Sequence, residues 1–174
     1  MDEQVPTVFL LVGLTGSGKT TYARSVLEPQ GAVRVSVDEE VHRRHGRYGV
    51  DYPEWEYFDR QTPAVAWARE RLAELVIKGR DVVVDHGLWR RAERDEWKKL
   101  VEAAGAKWRL LYFPVEREEL LRRLTERNRR ADANALTVSE EALDDFVARF
   151  DPPENEGEEV IAPDSFPRGS ASSR

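Results

Sequence analysis

The chain has 174 residues, 40% of them hydrophobic and 34% charged, a balance typical of one folded domain with a sizeable core rather than of a disordered chain. It contains no cysteine, which excludes disulfides and thiolate metal sites, and no apolar run approaches the roughly 20 residues of a membrane-spanning helix. The net charge of −6 argues against general binding to nucleic acid, which needs a broad positive surface. Residues 1–7 lack the pattern of a secretory signal, so we expect a cytoplasmic protein without a membrane partner.

A glycine-rich motif follows the first predicted strand. The apolar run at residues 7–12 predicts a buried strand, and residues 18–27 predict a helix. Between them the sequence fits the phosphate-loop pattern G-x-x-x-x-G-K-[ST] at every fixed position, with Gly13, Leu14, Thr15, Gly16, Ser17, Gly18, Lys19 and Thr20. Because strand, turn and helix are the context that this pattern requires, the motif predicts binding of a nucleoside triphosphate.

The residue types of this loop indicate how the phosphates would be held. Its glycines permit backbone angles that aim successive N–H groups inward, at the positive end of the following helix. We expect Lys19 to reach the β- and γ-phosphates and the Thr20 hydroxyl to bind Mg²⁺, with Thr21 beside it in the nucleotide site. The motif alone does not select ATP over GTP.

The rest of the chain alternates between predicted strands and helices. Further strands are predicted at residues 32–37, 81–85, 108–113 and 158–162. Helices are predicted from residue 63 to residue 78, at 91–104, at 116–129 and from about residue 137 to residue 150. This alternation predicts an α/β fold with a parallel sheet in one domain, residues 1–162, followed by a disordered tail at residues 163–174.

Two acidic residues close predicted strands. Asp85 ends an apolar strand downstream of the phosphate loop. In proteins with a phosphate loop, an acid at this position binds Mg²⁺ directly or through water. Asp38 ends the second predicted strand, at the sheet edge where ligands gather. From there it would accept the proton of a substrate hydroxyl that attacks the γ-phosphate. Each has a plainer alternative, because either carboxylate could simply cap the following helix or turn.

The predicted helix at residues 116–129 is rich in arginine. Arg123, Arg127 and Arg130 fall at i, i+4 and i+7 on one flank of its buried leucine stripe, so they are predicted to contact phosphates. Charge at Arg123 and Arg127 would stabilise the transferring group. The alternative is a solvated face paired with nearby glutamates, which we favour for Arg122 and Arg129.

Candidate substrate residues lie after each of the two acids. Arg43 and Arg44 follow Asp38 in a basic stretch that fits an anionic substrate and a solvated face equally well. His86 and Arg90 follow Asp85 at the same sheet edge and are predicted to reach the substrate. The aromatic residues at 55, 57 and 58 could stack on a sugar or a base, but core or lid packing is the favoured interpretation.

These motifs together resemble a known family. The phosphate loop, Asp38, the run VVVDHGLWR at residues 82–90 and the arginine helix are similar to those of small P-loop kinases. That family lies near zeta toxins, polynucleotide 5′-hydroxyl kinases and chloramphenicol phosphotransferase, and its members are often described as AAA-family ATP-binding proteins. The resemblance covers residues 7–161. It implies a three-layer P-loop NTPase fold, with five parallel strands in the order 2-3-1-4-5 and a short arginine-rich lid. It also implies ATP with Mg²⁺, a catalytic base at Asp38, and lid arginines at Arg123, Arg127 or Arg130.

The sequence therefore predicts an ATP-dependent kinase that transfers the γ-phosphate to a hydroxyl of a small molecule. A polynucleotide 5′-hydroxyl kinase is an alternative, motivated by the basic stretch at residues 43–47 and opposed by the acidic net charge. An ATP-binding regulator without phosphotransfer is another. A GTPase is not expected, because the chain lacks an Asn-Lys-x-Asp base reader.

Overall fold

The computed structural model describes residues 4–129 and 138–162. Its strands are β1 (Thr7–Val12), β2 (Val33–Ser36), β3 (Val82–Asp85), β4 (Lys107–Tyr112) and β5 (Glu158–Val160). All pair in parallel, in the order β2-β3-β1-β4-β5. The predicted α/β class and the predicted strand order 2-3-1-4-5 are confirmed.

Helices connect these strands. They are α1 (Lys19–Tyr22), α2 (Val37–His45), α3 (Tyr57–Ile77), α4 (Arg91–Ala103), α5 (Arg117–Arg129) and α6 (Glu140–Arg149). A π-helical turn at Ala23–Leu27 and a 3₁₀ turn at Glu28–Gln30 extend α1. None of the helices in the described ranges combines the length and the apolar character that crossing a bilayer requires.

The sheet separates two hydrophobic layers. Side chains alternate along β1, so Val8 and Leu10 pack into the larger layer while Phe9 and Leu11 pack into the smaller one on the opposite face. Every residue of β3 is buried, as expected for a parallel strand that is covered on both faces. This arrangement brings the carboxyl ends of β1, β2 and β3 to one edge, where the phosphate loop begins.

Two boundaries differ from the prediction in ways that affect the site. Strand β2 ends at Ser36, whose Oγ accepts a hydrogen bond of 3.2 Å from the backbone N–H of Glu39 and so caps α2. Asp38 therefore lies in the first turn of a helix rather than at the end of a strand. Helix α3 begins at Tyr57 and includes Pro63, which we expected to be its start. The predicted tail at 163–174 lies outside the described residues.

Candidate active site

The phosphate loop has the backbone shape that its glycines predict. Gly16 and Gly18 have φ angles of 84° and 99°, a region that residues with a side chain rarely adopt. Gly13 is needed for a different reason, because a Cβ there would lie 2.6 Å from Ser17 Oγ. Gly18 precedes α1, so the backbone N–H groups at the start of the helix face the loop. These constraints explain why the pattern is recognisable from sequence alone.

Lys19 lies at the centre of this loop. Its ammonium group donates hydrogen bonds to the carbonyl oxygens of Gly13 and Leu14, at 2.9 and 3.0 Å. Burial lowers the pKa of Lys19, while the nearby carboxylates of Asp85 and Asp38 oppose that shift. The loop thus holds the Lys19 ammonium group close enough to interact electrostatically with both Asp85 and Asp38.

The buried Asp85 carboxylate lies beside Thr20. The Thr20 hydroxyl donates to Asp85 Oδ2 at 2.8 Å, and Arg34 Nε donates to the same oxygen at 2.9 Å. Asp85 does not cap the next helix, because Arg90 occupies the N-cap position of α4. Sequence reasoning missed Arg34, although a charged residue in the middle of an apolar strand was a usable signal.

Thr20 and Asp85 suit a magnesium ion. A hydroxyl and a carboxylate 2.8 Å apart are hard oxygen donors, and Mg²⁺ often takes one or two protein ligands with nucleotide phosphates and water completing its shell. No cluster of three or more His, Cys, Asp or Glu side chains forms a metal site within residues 4–129 and 138–162. A divalent ion here would therefore depend on oxygens of the nucleotide.

Asp38 faces the same space from α2. It is exposed and lines a cavity together with Lys19, and its Oδ1 accepts a hydrogen bond from the Tyr57 hydroxyl. Burial, followed by the Asp38 charge, raises the pKa of Tyr57 well above its ordinary value, so the phenol stays protonated and keeps donating. Capping does not explain Asp38, since Ser36 caps α2. Sequence reasoning had favoured a packing role for Tyr57.

Two cavities meet at these residues. The wider one, of about 470 Å³, follows the phosphate loop past Thr20 and Asp85. The narrower one, of about 90 Å³, extends between α3, the start of α4 and α6. Both are lined by Thr15, Lys19, Asp38, Tyr48 and Tyr57. A phosphate donor in the loop and an acceptor in the narrow cavity would meet between Lys19 and Asp38.

The predicted phosphate-binding arginines divide into different roles. Arg127 lines the wide cavity, and its guanidinium makes no hydrogen bond or ion pair with the described part of the chain. Arg123 instead donates to the carbonyl oxygen of Gly16 at 2.9 Å and to Glu119 at 2.9 Å. The first of these hydrogen bonds links α5 to the phosphate loop. Arg130 lies outside the described residues. Among the arginines of α5 whose side chains the structure describes, Arg127 is the one that lines the wide cavity.

The predicted substrate residues are likewise divided. Arg43 and Arg44 donate to the buried Glu40 carboxylate, at 3.1 and 2.8 Å, and line neither cavity. The basic stretch instead contributes His42 and Arg47 to the wide cavity. Of the two interpretations of Arg43 and Arg44, the structure favours the paired face over contact with a substrate, because Glu40 lies one helical turn away on the same face.

Strand β3 is followed by the other two predicted substrate residues. His86 is buried and lines the narrow cavity, with its Nε2 3.5 Å from Glu93 Oε2. Arg90 is exposed at the N-cap of α4 and lines neither cavity. Besides His86, the segment after β3 lines the narrow cavity with Gly87, Leu88 and Trp89.

Comparisons with known proteins agree with this architecture. The model of the AAA domain family matches residues 8–153. A comparison with curated protein sequences gave no match.

Solved structures show the same fold. A kinase candidate from Chloroflexus aurantiacus aligns with a TM-score of 0.71 at 15% identity, covering 91% of this chain and 84% of the other. A gluconokinase from Sinorhizobium meliloti gives 0.64 at 18% identity, covering 91% and 83%. The Mycobacterium tuberculosis APS kinase in complex with AMPPNP and APS gives 0.60 at 15% identity, covering 92% and 90%. At these identities the likeness establishes the fold.

Proposed function

The chain belongs to the AAA domain family, and from that premise we propose that it is a phosphotransferase that moves the γ-phosphate of Mg-ATP to a hydroxyl of a small molecule. One observation carries this proposal: Lys19 and Asp38 line both cavities, the wide one along the phosphate loop and the narrow one beside it. A phosphate-binding cation and a general base on opposite sides of one space are what in-line phosphoryl transfer needs.

The chain's own groups account for each part of this reaction. The backbone N–H groups of the loop and Lys19 hold the phosphates, and Arg127 adds positive charge where the transferring group becomes more negative. Thr20 and Asp85 would hold Mg²⁺, which neutralises phosphate charge when bound. Asp38 accepts the proton of the attacking hydroxyl, and Tyr57 fixes the orientation of that carboxylate.

A small acceptor fits this site better than a polynucleotide end. The narrow cavity is only about 90 Å³. In the basic stretch at residues 43–47, which motivated the polynucleotide hypothesis, Arg43 and Arg44 are engaged by Glu40. Arg47 lines the wide cavity but not the narrow one.

We also propose a cytoplasmic location, which suits a chain that contains no cysteine.

The test separates nucleotide binding from transfer. Binding of Mg-ATP is measured by calorimetry, and transfer is measured from γ-labelled ATP to a panel of small alcohols, sugars and amino alcohols, with a 5′-hydroxyl oligonucleotide assayed separately. We expect Lys19→Ala to abolish nucleotide binding. Asp38→Asn should retain binding and lose about 10²–10⁴-fold in transfer rate, because general-base catalysis typically contributes that much.

Asp59→Asn is the matched control, since it makes the same change at an exposed residue of α3 that lines neither cavity. Normal transfer by Asp38→Asn would show that Asp38 is not the base. Label appearing on the oligonucleotide alone would favour the polynucleotide kinase. Tight nucleotide binding with no transfer to any acceptor would favour a regulator.

A further inference from the structure

The narrow cavity is walled by aromatic rings in an unbroken row. Its ring contacts run from Tyr48 to Tyr57, Phe58, Trp89 and Phe146, with successive centroids 5.4, 5.6, 5.8 and 5.0 Å apart. Neighbouring rings are strongly inclined to one another, at 85°, 76°, 70° and 49°. Because successive rings are inclined to one another, they do not form a flat slot for stacking a planar base. We call this aromatic-lined cavity the aromatic box.

The charges in this box are mainly acidic. Asp38 and Glu93 both line it, whereas no arginine is among its described lining residues. Arg149, which is not a lining residue, places its guanidinium 4.9 Å from the centroid of the Phe58 ring. The wide cavity differs sharply, because Arg24, Arg34, Arg47 and Arg127 all line it. Lys19 touches the box as well, but its ammonium group is held by the loop carbonyls at the phosphate side. An anionic acceptor would meet two carboxylates in the box, whereas a cation would be attracted.

We propose, building on the phosphotransferase function above, that the acceptor is an amino alcohol whose ammonium group occupies this aromatic box. Aromatic faces attract ammonium groups through their quadrupole, and boxes of several rings are a known means of binding quaternary ammonium ligands. Glu93 supplies the neighbouring negative charge, and His86 lies 3.5 Å from it. The two ends of such an acceptor match the two ends of the cavity, the cation facing the rings and the hydroxyl facing Asp38.

The reaction balances with no further reactant. The acceptor oxygen forms a bond to the γ-phosphorus as the bond between that phosphorus and the β,γ-bridging oxygen breaks. The hydroxyl proton passes to Asp38 and then to solvent. The products are an ammonium-bearing phosphate monoester and ADP.

The test uses a pair of probes that differ only in charge. Choline and 3,3-dimethylbutan-1-ol have nearly the same shape, with a positive nitrogen in one replaced by a neutral carbon in the other. Calorimetric titration of each into the 174-residue chain without nucleotide should show choline binding at least about tenfold more tightly, the scale of a desolvated cation–π contact.

Two variants locate the effect. Glu93→Gln should weaken choline binding and leave binding of the neutral alcohol unchanged, and Trp89→Leu should weaken choline binding as well. Trp55→Leu is the matched control, because Trp55 is 76% exposed and does not line the box. Circular dichroism of each variant confirms that it is folded, and Glu93→Gln, at a partly exposed site, keeps the test informative if Trp89→Leu unfolds.

Equal affinity for the two probes, no binding of either at millimolar concentration, or unchanged choline binding in Glu93→Gln would each overturn the proposal. Since the titration contains no ATP, these outcomes leave the phosphotransferase proposal standing. Conversely, normal transfer by Asp38→Asn would exclude Asp38 as the general base and would leave the interpretation of the choline titration unchanged.

Discussion

The Tyr57 hydroxyl donates a hydrogen bond to Oδ1 of Asp38 and thereby links the start of α3 to the first turn of α2. Gln61 Nε2 approaches the same phenol oxygen at 3.5 Å from the next turn of α3. Because burial and the Asp38 charge raise the pKa of Tyr57 well above 10.0, this donor is not lost at any ordinary working pH. One carboxylate oxygen of Asp38 is thus fixed, and Oδ2 remains to receive a proton.

Tyr57→Phe should lower the rate of phosphoryl transfer about 10- to 100-fold, the range expected for losing a hydrogen bond to a charged group. The affinity for Mg-ATP should not change, because Tyr57 does not contact the phosphate loop through a hydrogen bond. Steady-state kinetics and calorimetry measure the two quantities. Tyr48→Phe is the control, since Tyr48 lines the same cavities but its hydroxyl makes no hydrogen bond with the described residues. Equal losses in both variants would mean that Tyr57 acts only through packing.

Glu40 makes stability depend on pH in the acid range. Hydrogen bonds from Arg43, and then from Arg44, lower its pKa to about 2 against the opposing effect of burial, from an ordinary value of 4.5. A depressed folded-state pKa adds stability that is fully present above pH 4.5 and is lost as the pH falls toward 2. In Glu40→Gln, the fall in the free energy of unfolding between those pH values should be shallower than in the wild type.

Urea unfolding at a series of pH values measures this difference. Glu141→Gln, at an exposed position of α6, should give a curve parallel to that of the wild type. If the Glu40→Gln curve also ran parallel, the Arg43 and Arg44 contacts would contribute no pH-dependent stability.

Arg94 connects the loop after β3 to the segment before β5. It is fully buried, donates to both carboxylate oxygens of Glu156 at 2.8 and 2.9 Å, and donates to the carbonyl oxygens of Leu88 and Asp151 at 3.0 and 2.8 Å. Arg94→Leu would remove the guanidinium partner of the buried Glu156 carboxylate, so the free energy of unfolding should fall by about 3–5 kcal/mol. Chemical denaturation measures that loss.

The double variant Arg94→Leu/Glu156→Leu tests the cause. It removes the orphaned carboxylate, so it should lose less stability than Arg94→Leu alone. A double variant that is equally or more destabilised would show that the contacts of Arg94 with the backbone carbonyls, rather than its ion pair, carry its effect.

The contacts within the candidate active site show why part of it could be predicted from sequence and part could not. The phosphate loop is a local pattern, in which glycine, lysine and threonine act within a few residues of one another. The Arg34–Asp85 pair joins residues 51 positions apart, and the Tyr57–Asp38 bond joins residues 19 positions apart. Such pairs depend on how strands and helices pack, and no local spacing announces them.

The arginines were a different case, because a local signal was present. Arg43 and Arg44 lie three and four residues after Glu40, and Arg123 lies four residues after Glu119. These are the spacings at which helical side chains meet, so intrahelical pairing was predictable. Arg127 has no such partner among the described residues, and its side chain lines the wide cavity.

Asp85→Asn should separate metal binding from nucleotide binding. The amide retains the shape of the side chain but removes the charge next to Thr20, so affinity for ATP in the presence of Mg²⁺ should fall about tenfold or more. Affinity for ATP without Mg²⁺ should change little, because Lys19 and the loop are intact. Calorimetric titrations with and without the metal measure both. A loss of equal size in the two titrations would assign Asp85 a structural role through Arg34 rather than a role at the metal.

Gly13 offers a test of how tightly the loop is shaped. Its φ is not in the left-handed region, and the difficulty of placing a side chain there is steric, since a Cβ would lie 2.6 Å from Ser17 Oγ and 3.2 Å from the carbonyl oxygen of Phe113. Gly13→Ala should therefore push the loop open and weaken ATP binding about tenfold, which corresponds to about 1.4 kcal/mol. Adding Ser17→Ala removes the atom in closest contact but leaves Ser17 Cβ and the Phe113 carbonyl oxygen each at 3.2 Å. The double variant should therefore regain part of the affinity, whereas Ser17→Ala alone should cost little.

Gly16→Ala is the contrasting control, because its φ of 84° is strained for alanine while the nearest atom to its Cβ is 3.7 Å away. Ser17→Ala should not rescue it. Calorimetry of the five variants gives the coupling between positions 13 and 17, and additive effects would show that the Gly13–Ser17 contact does not limit the shape of the loop.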